Sequence, residues 1–260
     1  MTQVTVAVDT RGVALVTLNR PQKRNALTSQ MMEALTRIAG ELASDPAVRV
    51  VVLTGAGVDF CAGADLDWMR AQMAAEPQER AAQAMGLARM LQALYVLPKP
   101  LIACVQGDAF GGGVGLIAVC DLAIGREGAR LGLTETRLGL IPATIGPYVV
   151  ARIGVARARD PILSGRVFLA QEAVVLGLLD RVVPTEGLEA ALAGAVTPYL
   201  AAAPGAVAAA KAMLRELGPV IDAAAIERSV AALMARWQSA EAAEGVAAFF
   251  EKRRPGWAHS

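Results

Sequence analysis

Apolar and polar positions alternate along Val4–Val8 and again along Val13–Asn19, with Thr10-Arg11-Gly12 between them as a turn. The chain therefore opens on a predicted strand pair. Pro21–Leu27 is polar and reads as a loop. The period then changes to that of a helix: Thr28 suits an N-cap, and Met31, Met32, Leu35 and Ile38 share one face of a helix running to about Ala43. Asp45-Pro46 ends it. Val48–Thr54 is a β-branched apolar run, the pattern of a strand buried on both faces. Gly55–Gly63 follows as a glycine-rich loop, then predicted helices over Asp65–Met73 and Gln78–Tyr95. Pro98 and Pro100 bracket a return to extended chain at Leu101–Val105. Val114–Cys120 reads as a buried helix and Asp121–Gly125 as a strand. Thr134–Ile153 reads as turns and short helical pieces broken by Pro142 and Pro147. From Arg157 onward the pattern is helical except at Leu179–Val183, and from Leu188 it is rich in alanine. Strands alternating with helices, followed by helices alone, give an α/β or α+β chain with a helical C-terminal part. Pro184–Gly187 is the best boundary, dividing residues 1–186 from 187–260.

Two glycine clusters interrupt these patterns. Gly111, Gly112 and Gly113 precede the apolar Val114–Cys120 run, and Phe60–Leu66 reads FCAGADL. Without a Cβ, glycine lets a ligand approach the backbone closely. The first N–H groups of a helix have no intrahelical partner. Two such sources of N–H on one chain suggest a rigid donor pair for an oxygen that gains negative charge, an oxyanion hole.

Composition narrows the chemistry. The 260 residues are 55% hydrophobic and carry a formal net charge of +1, enough for a sizeable core and too balanced for a polyanion partner. Lys252, Arg253 and Arg254 form the densest basic cluster. Three cysteines, Cys61, Cys104 and Cys120, lie in apolar segments and read as reduced thiols of a cytoplasmic protein. No secretory signal is visible at the start, and the apolar runs are too interrupted for a membrane span. The single histidine is His259, next to the last residue. A Ser–His–Asp hydrolase and a histidine metal cluster are thereby excluded, and no metal or cofactor is expected. Acid–base work falls to carboxylates, tyrosine, lysine, cysteine or water.

Five segments, taken in order, resemble the crotonase superfamily, the enoyl-CoA hydratase/isomerase family. They are NRPQKRNALT (Asn19–Thr28), FCAGADL, the Gly111 cluster, TETRLGLIP (Thr134–Pro142) and FFEKRRPGW (Phe249–Trp257). The resemblance implies a right-handed spiral of ββα units with a helical C-terminal trimerisation region, in a homotrimer or a dimer of trimers. It implies acyl-CoA thioesters as substrates, with coenzyme A part of the substrate. It assigns the oxyanion donors to the N–H groups of Ala62 and Gly112, and the acid–base carboxylate to Glu135. Family hydratases generally use a second glutamate at the position held here by Gly115. Its absence fits an isomerase that shuttles a proton on one carboxylate, or a hydratase branch in which Glu135 orients water with help from backbone or hydroxyl groups.

By the same resemblance, Lys23 and Arg24 meet the nucleotide phosphates, and Ala62, Gly63, Ala64 and Asp65 give backbone contacts to adenine and pantetheine. Leu66 joins the binding set, Trp68 and Met69 line the acyl pocket, and Phe249 and Lys252 close over the adenine end. Asp121 is scaffold. The Gly111 region, Glu135–Gly154 and the KRRPGW ending resemble bacterial hydratases of methylglutaconyl-CoA and isohexenylglutaconyl-CoA, which makes Thr144 a candidate hydroxyl beside the acyl group. The implied activity is hydration of a branched, carboxylated 2-enoyl-CoA. Gly115 is then expected to leave room beside the substrate's second carboxylate, for which Arg70, Arg89 and Arg137 are candidate partners. The alternatives are an isomerase using Glu135 alone and a non-catalytic acyl-CoA binder. RNA binding, which in one relative uses a lysine-rich first helix, is not expected: Thr28–Ala43 holds Arg37 as its only basic residue.

Overall fold

The computed structural model describes residues 2–258, so His259 lies outside the described residues. Strand β1 (Val4–Val8) pairs antiparallel with β2 (Val13–Leu18), Val6 opposite Val16, and Gly12 makes the turn at a φ of 82°. β2 then begins a parallel series with β3 (Val50–Gly55), β4 (Leu101–Val105), β6 (Leu122–Arg126) and β9 (Arg181–Val183). The continuous apolar run of β3 is explained by burial on both faces. On one face Val51 and Leu53 join the core beneath α1 (Ser29–Ser44) and α3 (Pro77–Tyr95). On the other, Val50 and Val52 with Ile102 and Ile124 meet Leu188, Ala195 and Val196 of α7 (Leu188–Ala201).

Local chemistry sets the element ends. The Thr28 side chain accepts the Met31 N–H and starts α1, whose buried residues include Met31, Met32, Leu35 and Ile38. The Asp65 carboxylate accepts the N–H groups of Asp67 and Trp68 and starts α2 (Leu66–Ala74). Asp121 Oδ2 accepts the Leu101 N–H at 2.7 Å and ion-pairs with Lys211 at 2.6 Å, a scaffold role that fixes α8 (Pro204–Leu217) against β4.

Three features differ from the sequence pattern. A second sheet, β5 (Ala109–Phe110), β7 (Arg130–Gly132) and β8 (Val167–Leu169), occupies two segments to which the pattern gives no element and one that reads as helix. These strands are too short for a period of two to register. Pro147 does not break a helix; it sits in the first turn of α5 (Gly146–Ser164), where its missing N–H costs nothing. The break in α5 is instead at Gly154, with φ 75° and ψ 155°. The helices beyond residue 187 fold back onto the first part of the chain, α9 (Ala223–Trp237) against α3 and α10 (Ala240–Phe250) against the 3₁₀ turn Thr134–Leu138. Among the described residues, no single helix is long and apolar enough to cross a membrane.

Candidate active site

The loops after β3 and β4 meet face to face. A Cβ placed on Gly63 would lie 2.9 Å from the Phe110 carbonyl oxygen, and one on Gly113 only 2.4 Å from that of Cys61. Glycine is therefore needed at both for the loops to close. Phe110 N–H donates to Cys61 O at 2.9 Å across the seam. Beside it lies a cavity of about 500 Å³. Leu27, Met32, Leu66, Trp68, Met69, Leu87, Leu140, Ile145 and Phe249 give it a mainly apolar wall, and the chain from Gly111 to Gly112 forms its edge.

Two N–H groups at this edge lack a protein acceptor, and one of them is not at the expected residue. Ala62 donates its N–H to the Arg24 carbonyl at 2.9 Å, so it is not available to a substrate oxygen. That expectation is corrected: the N–H left without an acceptor on this loop is that of Ala64. Leu27 bridges Ala64 in parallel fashion: Leu27 N–H donates to Gly63 O at 2.7 Å, and Asp65 N–H donates to Leu27 O at 3.0 Å. In such a bridge the N–H of the middle residue faces the other side, here away from Leu27. Gly112 opens α4 (Gly112–Ala118), ahead of the first intrahelical bond, so its N–H is free as well. Gly111 turns the chain into this helix with φ 49°, a conformation that favours glycine.

Glu135 faces the same edge. Its Oε1 lies 3.0 Å from the position a Cβ would take on Gly111. The residue as a whole is part-exposed to the cavity, whereas its Oε2 is fully buried and has no hydrogen-bond partner. Burial pushes this carboxyl from an ordinary value of 4.5 up to about 7, opposed only by its own backbone N–H. Leu133 holds the cap position of this 3₁₀ turn, with no side-chain cap bond. A buried, unpartnered carboxylate that titrates near neutrality is the profile of a general acid–base group.

The remaining candidates divide. Ala62, Gly63, Ala64, Leu66, Trp68, Met69, Gly112, Thr144 and Phe249 line the cavity; Thr144 is only 6% exposed. Lys23, Arg24, Asp65 and Lys252 do not. Arg24 makes a bidentate bond to Asp59 at 2.8 and 2.9 Å and reaches Asp108 at 3.3 Å, so its guanidinium ties loops together. Asp65 caps α2 and ion-pairs with Arg20 at 3.0 Å. Burial disfavours its charge, but the Trp68 N–H and Arg20 outweigh that and hold its carboxyl below the usual range. Lys23 stands half exposed, 3.6 Å from Asp67. Of the arginines considered for a second carboxylate, Arg70 stacks on Phe250 at 4.5 Å, Arg89 lies in a separate groove, and Arg137 lines the cavity. Among the described residues, Arg137 is its only cationic lining residue. Gly115 offers no room: a Cβ there would lie 2.5 Å from Ile145 Cγ2. Cys61 is also buried at the seam; burial pushes its thiol up to about 12, leaving it inert.

The family model described as enoyl-CoA hydratase/isomerase matches residues 9–260. The chain belongs to this family. Within the enoyl-CoA hydratase/isomerase family, it is 36% identical to the 2,3-dehydroadipyl-CoA hydratase of Escherichia coli, over 94% of both chains. It is 34% identical to the mevalonyl-coenzyme A hydratase of Aspergillus fumigatus, over 97% of this chain and 93% of the relative. Among solved structures, AtuE of Pseudomonas aeruginosa superposes with a TM-score of 0.81 at 35% identity, covering 99% of this chain and 100% of the other. The mixed α/β architecture is thus that of the family's structures.

Proposed function

We propose that this protein hydrates a branched, carboxylated 2-enoyl-CoA through a thioester enolate. The observation that carries the reading is the buried Glu135 carboxylate, set against Gly111 at the edge where the Ala64 and Gly112 N–H groups are free. The thioester oxygen takes those two donors, which stabilise it as charge develops. The ionised Glu135 accepts a proton from water while the hydroxyl adds to C3, and the electron pair moves from C2=C3 to the thioester oxygen. The enolate collapses as Glu135 returns the proton to C2. One carboxylate thus serves as base and then acid, which its value of about 7 permits at neutral pH. In this reading the Thr144 hydroxyl, from the cavity lining, orients the water.

Arg137 supports the carboxylated substrate class: an exposed arginine on the lining of an otherwise mainly apolar cavity suits a second carboxylate on the acyl group. Dehydroadipyl, in the name of one relative, is a dicarboxylic acyl group, and mevalonyl, in that of another, is methyl-branched. The test is hydration of crotonyl-, methylglutaconyl- and isohexenylglutaconyl-CoA, followed as loss of the conjugated thioester's absorbance. Higher kcat/KM on a carboxylated substrate is expected; preference for crotonyl-CoA would overturn the substrate class. A second reading, isomerisation, is favoured by the single glutamate, and it would show instead as gain of absorbance from a non-conjugated enoyl-CoA. In either reaction we propose a trimer, with coenzyme A entering as part of the substrate.

A further inference from the structure

One wall of the catalytic cavity is shared with a second depression. Phe249 and Leu66, each nearly half exposed, mark its mouth, whereas Met32 of α1 is 3% exposed and forms a wall with Leu87 of α3. Behind that wall, between α1 and α3, runs this second depression, of about 450 Å³. Among the described residues, Met32 is the one that lines both. The rest of the wall is braced: Ser29 Oγ–H and Trp68 Nε1–H both donate to Gln83 Oε1, at 2.7 and 3.2 Å, joining α1, α2 and α3. Beyond it, Gly86 faces open space, since a Cβ there would meet nothing within 4 Å. The groove carries polar residues, among them Thr36, Arg37 and Arg89.

We infer that Met32 is the end stop of the acyl chain and sets the length of enoyl-CoA this protein accepts. A chain laid from the mouth past Gly111 and Glu135 ends on the Met32 thioether. Met32 packs within the core, and the groove opens on its far side. Loss of this side chain therefore joins two volumes into a passage instead of leaving a closed void. An acyl group that passed Met32 would place its far end among the polar residues of the groove. Methionine is unbranched and adaptable, so this stop yields more readily than a branched residue would. The inference rests on the enoyl-CoA hydratase reading and not on the carboxylated substrate class.

The test uses crotonyl-, octenoyl- and dodecenoyl-CoA with the full-length protein. Wild type is expected to prefer crotonyl-CoA among these unbranched substrates. Met32→Ala should raise the dodecenoyl-to-crotonyl ratio of kcat/KM by about tenfold or more, the scale on which pocket contacts discriminate chain length. Met32→Val should move the ratio in the same direction, and it decides the matter if the alanine variant does not fold. Gly86→Leu fills the groove without touching the cavity. It should leave crotonyl-CoA turnover unchanged and, added to Met32→Ala, return the ratio toward wild type. A ratio unmoved by both Met32 variants would overturn the end stop. A gain that survives Gly86→Leu would overturn the passage into the groove. Absence of hydration of every substrate by wild type would be a failure of the hydratase reading, read out separately from the ratio.

Discussion

Glu135 combines two consequences of one burial. Glu135→Gln keeps the shape and removes the proton acceptor, so turnover should fall by roughly two to four orders of magnitude with little change in acyl-CoA affinity. Near-normal turnover would remove Glu135 from the mechanism. The same residue costs stability. A carboxyl at about 7 when folded and 4.5 when unfolded keeps its proton in the native state while the unfolded chain releases one. Stability from this group is whole below about 4.5, falls as pH rises through about 7, and is flat above. Glu135→Gln should therefore raise the melting temperature at pH 8 more than at pH 4, a difference that thermal melts at the two pH values would show or exclude. Arg137→Gln tests the other charged wall: kcat/KM on a carboxylated enoyl-CoA should drop roughly ten- to a hundredfold while crotonyl-CoA is spared. An equal loss on both would place Arg137 on the coenzyme A moiety. At this scale the sequence was informative about residue types and less so about directions. FCAGADL marks a donor loop, but only the bridge to Leu27 decides that Ala62 points its N–H at Arg24 and Ala64 does not.

At the scale of elements, the site depends on two close approaches. Gly115 packs α4 against Ile145, so Gly115→Glu has no cavity to enter and should reduce activity on every enoyl-CoA alike, at a stability cost of roughly 1–3 kcal/mol. Denaturant unfolding measures the stability cost; an unchanged midpoint or a substrate-selective loss of rate would be the contrary result. Gly245 brings α10 onto the backbone of the Glu135 turn: a Cβ there would lie 2.5 Å from the Leu138 carbonyl carbon, and one on Gly139 2.5 Å from that of Glu241. Arg236 adds two bonds to the Gly139 carbonyl, at 3.1 and 3.0 Å. Gly245→Val should therefore lower kcat by shifting Glu135, although it lies in a helix far along the chain. An unchanged kcat would mean that α10 yields and the turn does not. The helices and long strands were readable because their apolar faces repeat over several turns or pairs, as in α1 with its Thr28 cap. The second sheet was not, because strands of two and three residues carry no period and are defined by partners distant in sequence. The bracing of Glu135 by α10 was equally invisible, since a glycine in an alanine-rich helix looks like a weak point until its neighbour is known.

The whole molecule leaves apolar residues uncovered on two faces: Val155, Leu163 and Val175 on α5 and α6 (Ala170–Leu176), and Met213, Leu214 and Leu217 on α8, each more than half exposed. Exposed apolar residues of this kind are candidates for a contact between chains. If the trimer proposed above forms through them, Leu163→Glu with Val175→Glu should shift sedimentation toward the single chain, and an unaltered distribution would place the contact elsewhere. The chain's order in space has a further effect. The cavity takes Leu27 from near the beginning and Phe249 from near the end, and the turn carrying its carboxylate is clamped by the last helix. The acid–base character of Glu135 is therefore a property of the finished polypeptide. A molecule nicked by a protease between α9 and α10 could keep its sheets and most of its circular dichroism while water reached the loosened turn. Glu135 would fall back toward an ordinary carboxyl, and the damaged molecules would look native by spectroscopy yet go uncounted in an active-site titration.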